Sequence, residues 1–190
     1  MSALRSAAAA VKKAVQHASV SVPPNVRVAK QADQLVISGP LGTNRMCLSK
    51  LDSLGVAAVR IAPETRSIDV CSSDKAFFGT IQSLLKNKIQ GVTRGYLVYL
   101  RMVGIGYRAS LEGQVVTLKV GFSHDVRYTL PDALRAFLPE PTLIGLYGID
   151  KNQVTQAAAK IIQIRPPSVY KGKGIRLEGT TPRIKAGKRK

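Results

Sequence analysis

The chain repeats itself, and the repeat limits the folds open to it more than any other feature. The segment VRVAKQADQLVISGPLGT, from Val26, and the segment YRASLEGQVVTLKVGFSH, from Tyr107, share one layout. Each has a strand-like run, a short polar turn, a Gln, and a second run that reaches Gly. Setting Gln34 on Gln114 gives a shift of 80 residues. Further on, SDKAFFGTIQSLLKNKI matches IDKNQVTQAAAKIIQI with Asp74 on Asp150, a shift of 76, so the second copy should have a loop four residues shorter. Self-similarity at a fixed spacing calls for one small architecture used twice.

Both downstream segments read as helices. Phe77, Phe78, Ile81, Leu84, Leu85 and Ile89 recur at steps of three and four, as do Val154, Ala157, Ala158, Ile161 and Ile164. Asp74 and Asp150 stand where an N-cap carboxylate accepts from free N–H groups. Gly91 should end the first helix and Pro166-Pro167 the second. Strands followed by one helix make an α+β layer, a small, mostly antiparallel sheet with a helix packed on it. The fold class is therefore α+β with two tandem similar domains and a basic C-terminal tail. The expected divisions are an N-terminal extension over 1–21, a first repeat over 22–95, a second over 96–168, and a tail over 169–190.

Charge narrows the class of partner. With 29 Lys and Arg against 11 Asp and Glu in 190 residues, the formal net charge is +18. Such an excess suits a polyanion, either nucleic acid or an anionic membrane surface. No apolar run approaches the roughly 18 residues of a spanning helix. Cys47 and Cys71 have no second Cys or His close by in sequence, so the spacing of a zinc site is missing. They read as reduced structural thiols. His17 and His124 are the only histidines, and no local pattern joins either to a nucleophile and an orienting carboxylate. No cofactor, catalytic residue or metal ligand is expected.

One motif argues for an enzyme and fails on its surroundings. Gly104, Gly106 and Ala109 have the spacing G-x-G-x-x-A, and YLVYLRMV before them suits a strand. A dinucleotide site needs a helix directly after the glycines, to hold the pyrophosphate at its N-terminus. Here a Glu-Gly turn and the alternating QVVTLKVGF follow, which read as a β-hairpin. The glycines then serve a bend or a close backbone approach.

The two ends are basic in different ways. The first 18 residues, MSALRSAAAAVKKAVQHA, hold no acid, and at about 100° per residue Leu4, Ala8, Val11, Val15 and Ala18 line one face of a helix. Such an extension suits organelle targeting, or else an anionic lipid surface. From Arg165 to Lys190 the tail holds nine basic residues, Arg165, Lys171, Lys173, Arg176, Arg183, Lys185, Lys188, Arg189 and Lys190, against one acid, Glu178, so it reads as a segment that cannot bury an apolar face and whose like charges repel unless an anion lies among them. Lys171 and Lys173 alternate with Gly172 and Gly174, offering ammonium groups beside backbone N–H donors, a combination phosphate oxygens accept from. Tyr170 beside them either stacks on a base or ribose or packs against the end of the helix.

The stretches LRMVGIGYRASLEG, LKVGFSHDV and IRPPSVYKGKGIR resemble, in this order, three motifs of the large-subunit ribosomal protein L-six family of bacterial type. The resemblance implies a duplicated α+β protein that binds large-subunit rRNA near the sarcin-ricin loop, among neighbouring ribosomal proteins and close to the translation-factor site. Carried onto this sequence, it implies RNA contacts by Arg101, Tyr107, Arg108, Ser123, His124 and Arg165, besides Tyr170 and the tail residues named above. It leaves no place for a small-molecule substrate or a membrane. The basic extension turns the expected setting from a bacterial cytoplasm to the mitochondrial matrix, with the chloroplast as an alternative. A basic RNA- or membrane-binding protein outside the ribosome, and a dinucleotide enzyme, are the competing readings.

Overall fold

A computed structural model of the chain describes residues 15–51, 55 and 57–187. The chain divides into two compact units between Ile89 and Gln90. In the first unit, β1 (Gln16–Ser21), β6 (Ser67–Ser72) and β5 (Ala57–Ala62) form an antiparallel sheet in the order β1-β6-β5. A meander of β2 (Arg27–Gln31), β3 (Gln34–Gly39) and β4 (Gly42–Cys47) forms a second sheet, and a short α1 (Leu48–Leu51) follows it. Helix α2 (Lys75–Thr93) comes last, and its final residues from Gln90 onward belong to the second unit.

The second unit has the same plan. Strands β7 (Tyr96–Val103), β12 (Leu143–Gly148) and β11 (Leu134–Glu140) take the order β11-β12-β7, while β8 (Arg108–Glu112), β9 (Val115–Lys119) and β10 (Val126–Thr129) form the meander. Helix α3 (Lys151–Ile164) packs on this larger sheet, and β13 (Gly174–Leu177) adds a fourth strand beside β7. In both units the first strand returns to pair with the last strand before the helix, so each copy closes on itself before the chain leaves it.

The buried positions reveal the true register of the repeat. Leu35 and Ile37 are fully buried in β3, and their counterparts in β9 are Val116 and Leu118. That is a shift of 81, not the 80 obtained from Gln34 and Gln114. A one-residue slip matters, since it would turn every side chain of a strand to the other face. The aligned features are the two-residue turns, where Ala32 and Gly113 both take positive φ. The shift of 76 holds without change over β6 and β12 and over both helices. The connection from β4 to β5 is nine residues, α1 included, and that from β10 to β11 is four, a difference of five where four was expected.

The helix starts follow the sequence closely. Ala76 N donates to Asp74 Oδ1 and Asn152 N donates to Asp150 Oδ1, each at 3.1 Å, caps worth about 1 kcal/mol apiece. On α3 the buried face is Val154, Ala157, Ala158 and Ile161. Tyr96 packs by the same cap, with the Lys151 ammonium 5.9 Å from its ring centroid. Burial, and after it the negative charge of Asp150, hold the Tyr96 phenol above its usual value.

Three expectations are corrected. Gly91 lies inside α2, which runs to Thr93; a Cβ there would strike the Ile149 carbonyl oxygen, so this glycine serves a close approach. The helix ends instead at Gly95, with φ +74 and its N–H donating to the Gly91 carbonyl at 3.0 Å. The amphipathic helix read over residues 1–18 does not extend to its last turn, because Gln16–Ser21 is a strand paired with β6; residues 1–14 lie outside the described residues. The tail is not a purely solvated segment either: Ile175 of β13 is fully buried in the core beside Leu100, Met102 and Ile161. Both cysteines are free thiols.

Shortening Ile175 tests whether β13 belongs to the folded unit. Ile175→Ala should cost about 2–5 kcal/mol of stability in a denaturant titration, as a core truncation does. A loss under about 0.5 kcal/mol would mean that the strand frays from the sheet.

Candidate nucleic-acid interface

Strand β7 delivers the chain to a tight turn at one end of the second unit. Gly106 takes φ +76, a conformation side chains rarely adopt, with no atom within 4 Å of where its Cβ would stand. Gly104 is needed for a different reason. The Tyr107 ring lies 2.7 Å from the place of its Cβ and also faces Gly121, where the corresponding distance is 3.3 Å. After the turn, β8 and β9 form an antiparallel hairpin, with Glu112 opposite Val115. No helix starts behind the glycines, so nothing there presents a helix N-terminus to a pyrophosphate.

The Tyr107 hydroxyl joins the turn to the end of α3. Arg165, the C-cap residue of that helix, donates from Nε to the phenolic oxygen at 3.3 Å. Its guanidinium carbon sits 5.1 Å from the centroid of Phe122, a cation–π contact worth about 0.5–1 kcal/mol at an exposed place. Phe122 in turn stacks with His124, the centroids 6.0 Å apart and the planes 19° from parallel. Tyr107, Phe122, His124 and Arg165 therefore come from three separate stretches of sequence and meet in one braced cluster. Ser123 is exposed beside it, and Lys119 and Asp125 form an ion pair of 3.1 Å across the base of the same loop.

Beyond Pro166-Pro167 the chain closes a loop. Ser168 N donates to the Lys173 carbonyl at 2.8 Å, and Gly172 N donates to the Ser168 carbonyl at 2.9 Å. Gly172 needs its φ of +67 for this. Gly174 lies so close to the prolines that a Cβ would stand 2.6 Å from the Pro166 oxygen and the Pro167 Cα. This corrects one detail of the sequence reading. The Gly172 N–H is engaged within the loop, so the glycines act through shape there, while Lys171 and Lys173 project as exposed charges. Lys185 N donates to the Val169 carbonyl at 2.8 Å, which folds the exposed Arg183 and Lys185 back beside the loop. Tyr170 as a whole is 62% exposed, so the helix end does not cover it.

The remaining expected residues are less uniform. Arg108 is exposed at the start of β8. Arg101 faces Arg176 across the β7–β13 ladder, where like charges repel. Glu178 answers one of them with an ion pair to Arg101 at 3.0 Å. Arg101 is thus partly engaged, and Arg176 is half-buried. Lys188, Arg189 and Lys190 lie outside the described residues. Sequence reasoning missed Phe122; its only signal was the aromatic between Gly121 and Ser123. Among the described residues, no three of His, Cys, Asp and Glu gather as a metal site would require, and no helix is long and apolar enough to cross a membrane.

Fold and cluster together define a duplicated, basic α+β protein in which, among the described residues, the second copy joins the turn, the loop and the helix end through aromatic and guanidinium contacts. The family model described as ribosomal protein L6 matches residues 103–178, from the end of β7 to Glu178, and so spans this whole cluster. The large ribosomal subunit protein uL6m of Prototheca wickerhamii is 38% identical over 184 residues, covering 90% of this chain and 95% of the relative. The uL6 protein of Rubrobacter xylanophilus is 41% identical over 174 residues, covering 92% and 97%, and that of Oenococcus oeni is 36% identical over 170, covering 90% and 94%. The chain belongs to the ribosomal protein L6 family.

The two glycines of the turn should respond differently to a methyl group. Gly106→Ala should cost about 1 kcal/mol through backbone strain and leave the Tyr107–Arg165 contact in place. Gly104→Ala should displace the Tyr107 ring, so that combining it with Tyr107→Phe gives less than the sum of the two losses. Additive losses in denaturant titrations would mean that Gly104 and Tyr107 act independently.

Proposed function

We propose that this protein is a structural constituent of the large ribosomal subunit, without catalytic chemistry of its own, and that it binds large-subunit rRNA through the end of the second unit. The observation that carries the reading is the closed Ser168–Lys173 loop, which holds Lys171 and Lys173 in solvent next to the open ring of Tyr170. Ammonium groups serve phosphates and the ring serves a base, so one short loop offers both kinds of contact RNA uses. Arg183, Lys185 and Arg108 extend the positive surface, and the terminal Lys188, Arg189 and Lys190 belong to the same proposal. The RNA segment is the region of the sarcin-ricin loop, with ribosomal proteins and translation factors as neighbours.

Salt dependence separates the two contacts. Binding is measured to a large-subunit rRNA fragment that contains the sarcin-ricin loop, across a salt series. Lys171→Ala with Lys173→Ala should make the slope of log affinity against log salt shallower by about 1–2 units, because two counterions are no longer released. Tyr170→Ala should weaken binding with little change in slope, since stacking releases no counterion. These point variants are better probes than deletion from residue 171, which would also remove the buried strand β13. An unchanged slope in the double lysine variant would overturn the assignment.

The proposed setting is the mitochondrial ribosome, a reading supported by the acid-free basic run over residues 1–14 and by the likeness to a uL6m protein. Removing residues 1–14, which precede β1, should stop delivery to mitochondria and leave RNA affinity unchanged. Delivery at the normal rate would place the address elsewhere.

A further inference from the structure

The first copy carries a thiol–imidazole pair that the ribosomal reading does not use. Across the β1–β6 ladder His17 stands opposite Cys71, and His17 Nδ1 lies 2.9 Å from the Cys71 sulfur. On the other side of Cys71, β5 places Ala58 in register, a side chain too small to cover the sulfur. The next row of the same sheet face is Ser19, Asp69 and Arg60. His17, Ser19, Arg60, Asp69 and Cys71 line one open groove of about 610 Å³. His17 is exposed and Cys71 half-buried, so the sulfur is held by the sheet and reached from solvent.

The matching face of the second copy is built differently. There the same two rows hold Leu97, Tyr147 and Arg135, then Tyr99, Gly145 and Phe137, with the Tyr99 and Phe137 rings edge to face at 6.0 Å. Bulky side chains cover that face. The first copy instead has small and polar residues around a thiol and a base.

We propose that Cys71 is a thiol-modification site that takes a small acidic disulfide, with His17 as the proton acceptor. In the tautomer with its proton on Nε2, His17 presents a bare Nδ1 to the thiol. As the sulfur attacks, the thiol proton passes to Nδ1, a new S–S bond forms between Cys71 and one half of the disulfide, and the old S–S bond breaks. The other half leaves as a thiolate and regains a proton from the imidazolium. Cys71 is oxidised and the departing half is reduced, so atoms and electrons balance. Arg60 and Asp69 stand opposite each other in the groove and offset one another, so it is the net charge of +18 that favours a carboxylate-bearing disulfide over a neutral one.

Cys47 provides the control within the same chain. Its sulfur lies 3.3 Å from Ser49 Oγ and donates to the Asp33 carboxylate at 3.8 Å, so it has no imidazole beside it and a negative sulfur would face a negative neighbour. The full chain is incubated with glutathione disulfide at neutral pH, quenched by acid, and the mixed disulfide at each cysteine is measured by peptide mass spectrometry. Cys71 should react about tenfold or more faster than Cys47. His17→Gln should bring the Cys71 rate down to near that of Cys47 while leaving Cys47 unchanged, which also reports that the fold persists. A neutral disulfide of similar size should lose part of the advantage of Cys71. Equal rates at the two cysteines, or an unchanged Cys71 rate in His17→Gln, would overturn the proposal. Since RNA takes no part in the measurement, its outcome is independent of the ribosomal reading.

Discussion

The candidate interface depends on β7 being paired along both edges. One edge takes β12, with Leu143 opposite Arg101, and the other takes β13, with Ile175 opposite Met102. A strand bonded on both sides cannot slide without breaking two ladders, so its exit into the Gly104 turn is fixed in space. The turn fixes Tyr107, and Tyr107 reaches Arg165 at the end of α3. Because β13 is the other neighbour of β7, the tail returns to the same end of the sheet, and Ile175 N donates to the Arg165 carbonyl at 2.8 Å. The lysine loop is the short connection this closure leaves between helix and strand. Its place is set by the core beneath it, and the loop itself contributes little to that choice.

Duplication supplied the scaffold, and divergence at a few equivalent positions decided what each copy presents. In the register fixed by the buried strands, Tyr107 corresponds to Val26, which is buried; in that of the helices, Arg165 corresponds to Ile89, also buried. The first copy fills these places with aliphatic side chains and therefore packs where the second presents a phenol and a guanidinium. On the outer sheet face the exchange runs the other way, aromatic cover in the second copy answering to the thiol and imidazole of the first. Neither change touches the buried rows of β3 and β9 or of β6 and β12, so both copies keep one fold.

Much of this was legible in the sequence where one residue type answers one physical need. Asp74 and Asp150 marked both helix starts because a carboxylate before an apolar period has one common use. The hairpin at Gly113 was legible for a similar reason. The repeat register was misread by one residue because identity was followed at the two Gln residues, whereas the fold aligns the turns and the inward faces. Gly91 misled because a glycine needed for close approach to the Ile149 carbonyl looks the same in sequence as a glycine that ends a helix. Residues 16–18 were read as helix since Val15 and Ala18 fit its period, but the alternation through Val20 fits a strand equally well, and only pairing with β6 decides between them. At the candidate interface the lysines could be named from their spacing. The contact of Arg165 with Phe122 and Tyr107 could not, because it joins residues more than forty apart that share no local pattern.

The charged tail also shows why a count of basic residues underdetermines an interface. Like charges on a free segment repel one another, and ordering such a segment on RNA would cost conformational entropy of about 1–2 kcal/mol per residue fixed. Here much of that ordering is already complete. Ser168, Gly172 and Lys173 bond among themselves, Ile175 is buried, and Lys185 is tied back to Val169. Glu178, the one acid of the tail, engages Arg101 where it would otherwise face Arg176 uncompensated. The glycines therefore contribute most by letting the backbone satisfy its own hydrogen bonds while Lys171 and Lys173 remain in solvent. A loop closed in this way presents its charges at fixed separations, so under the proposed function a phosphate backbone would meet a surface that is already shaped, and the electrostatic gain of contact would not be consumed in forming it.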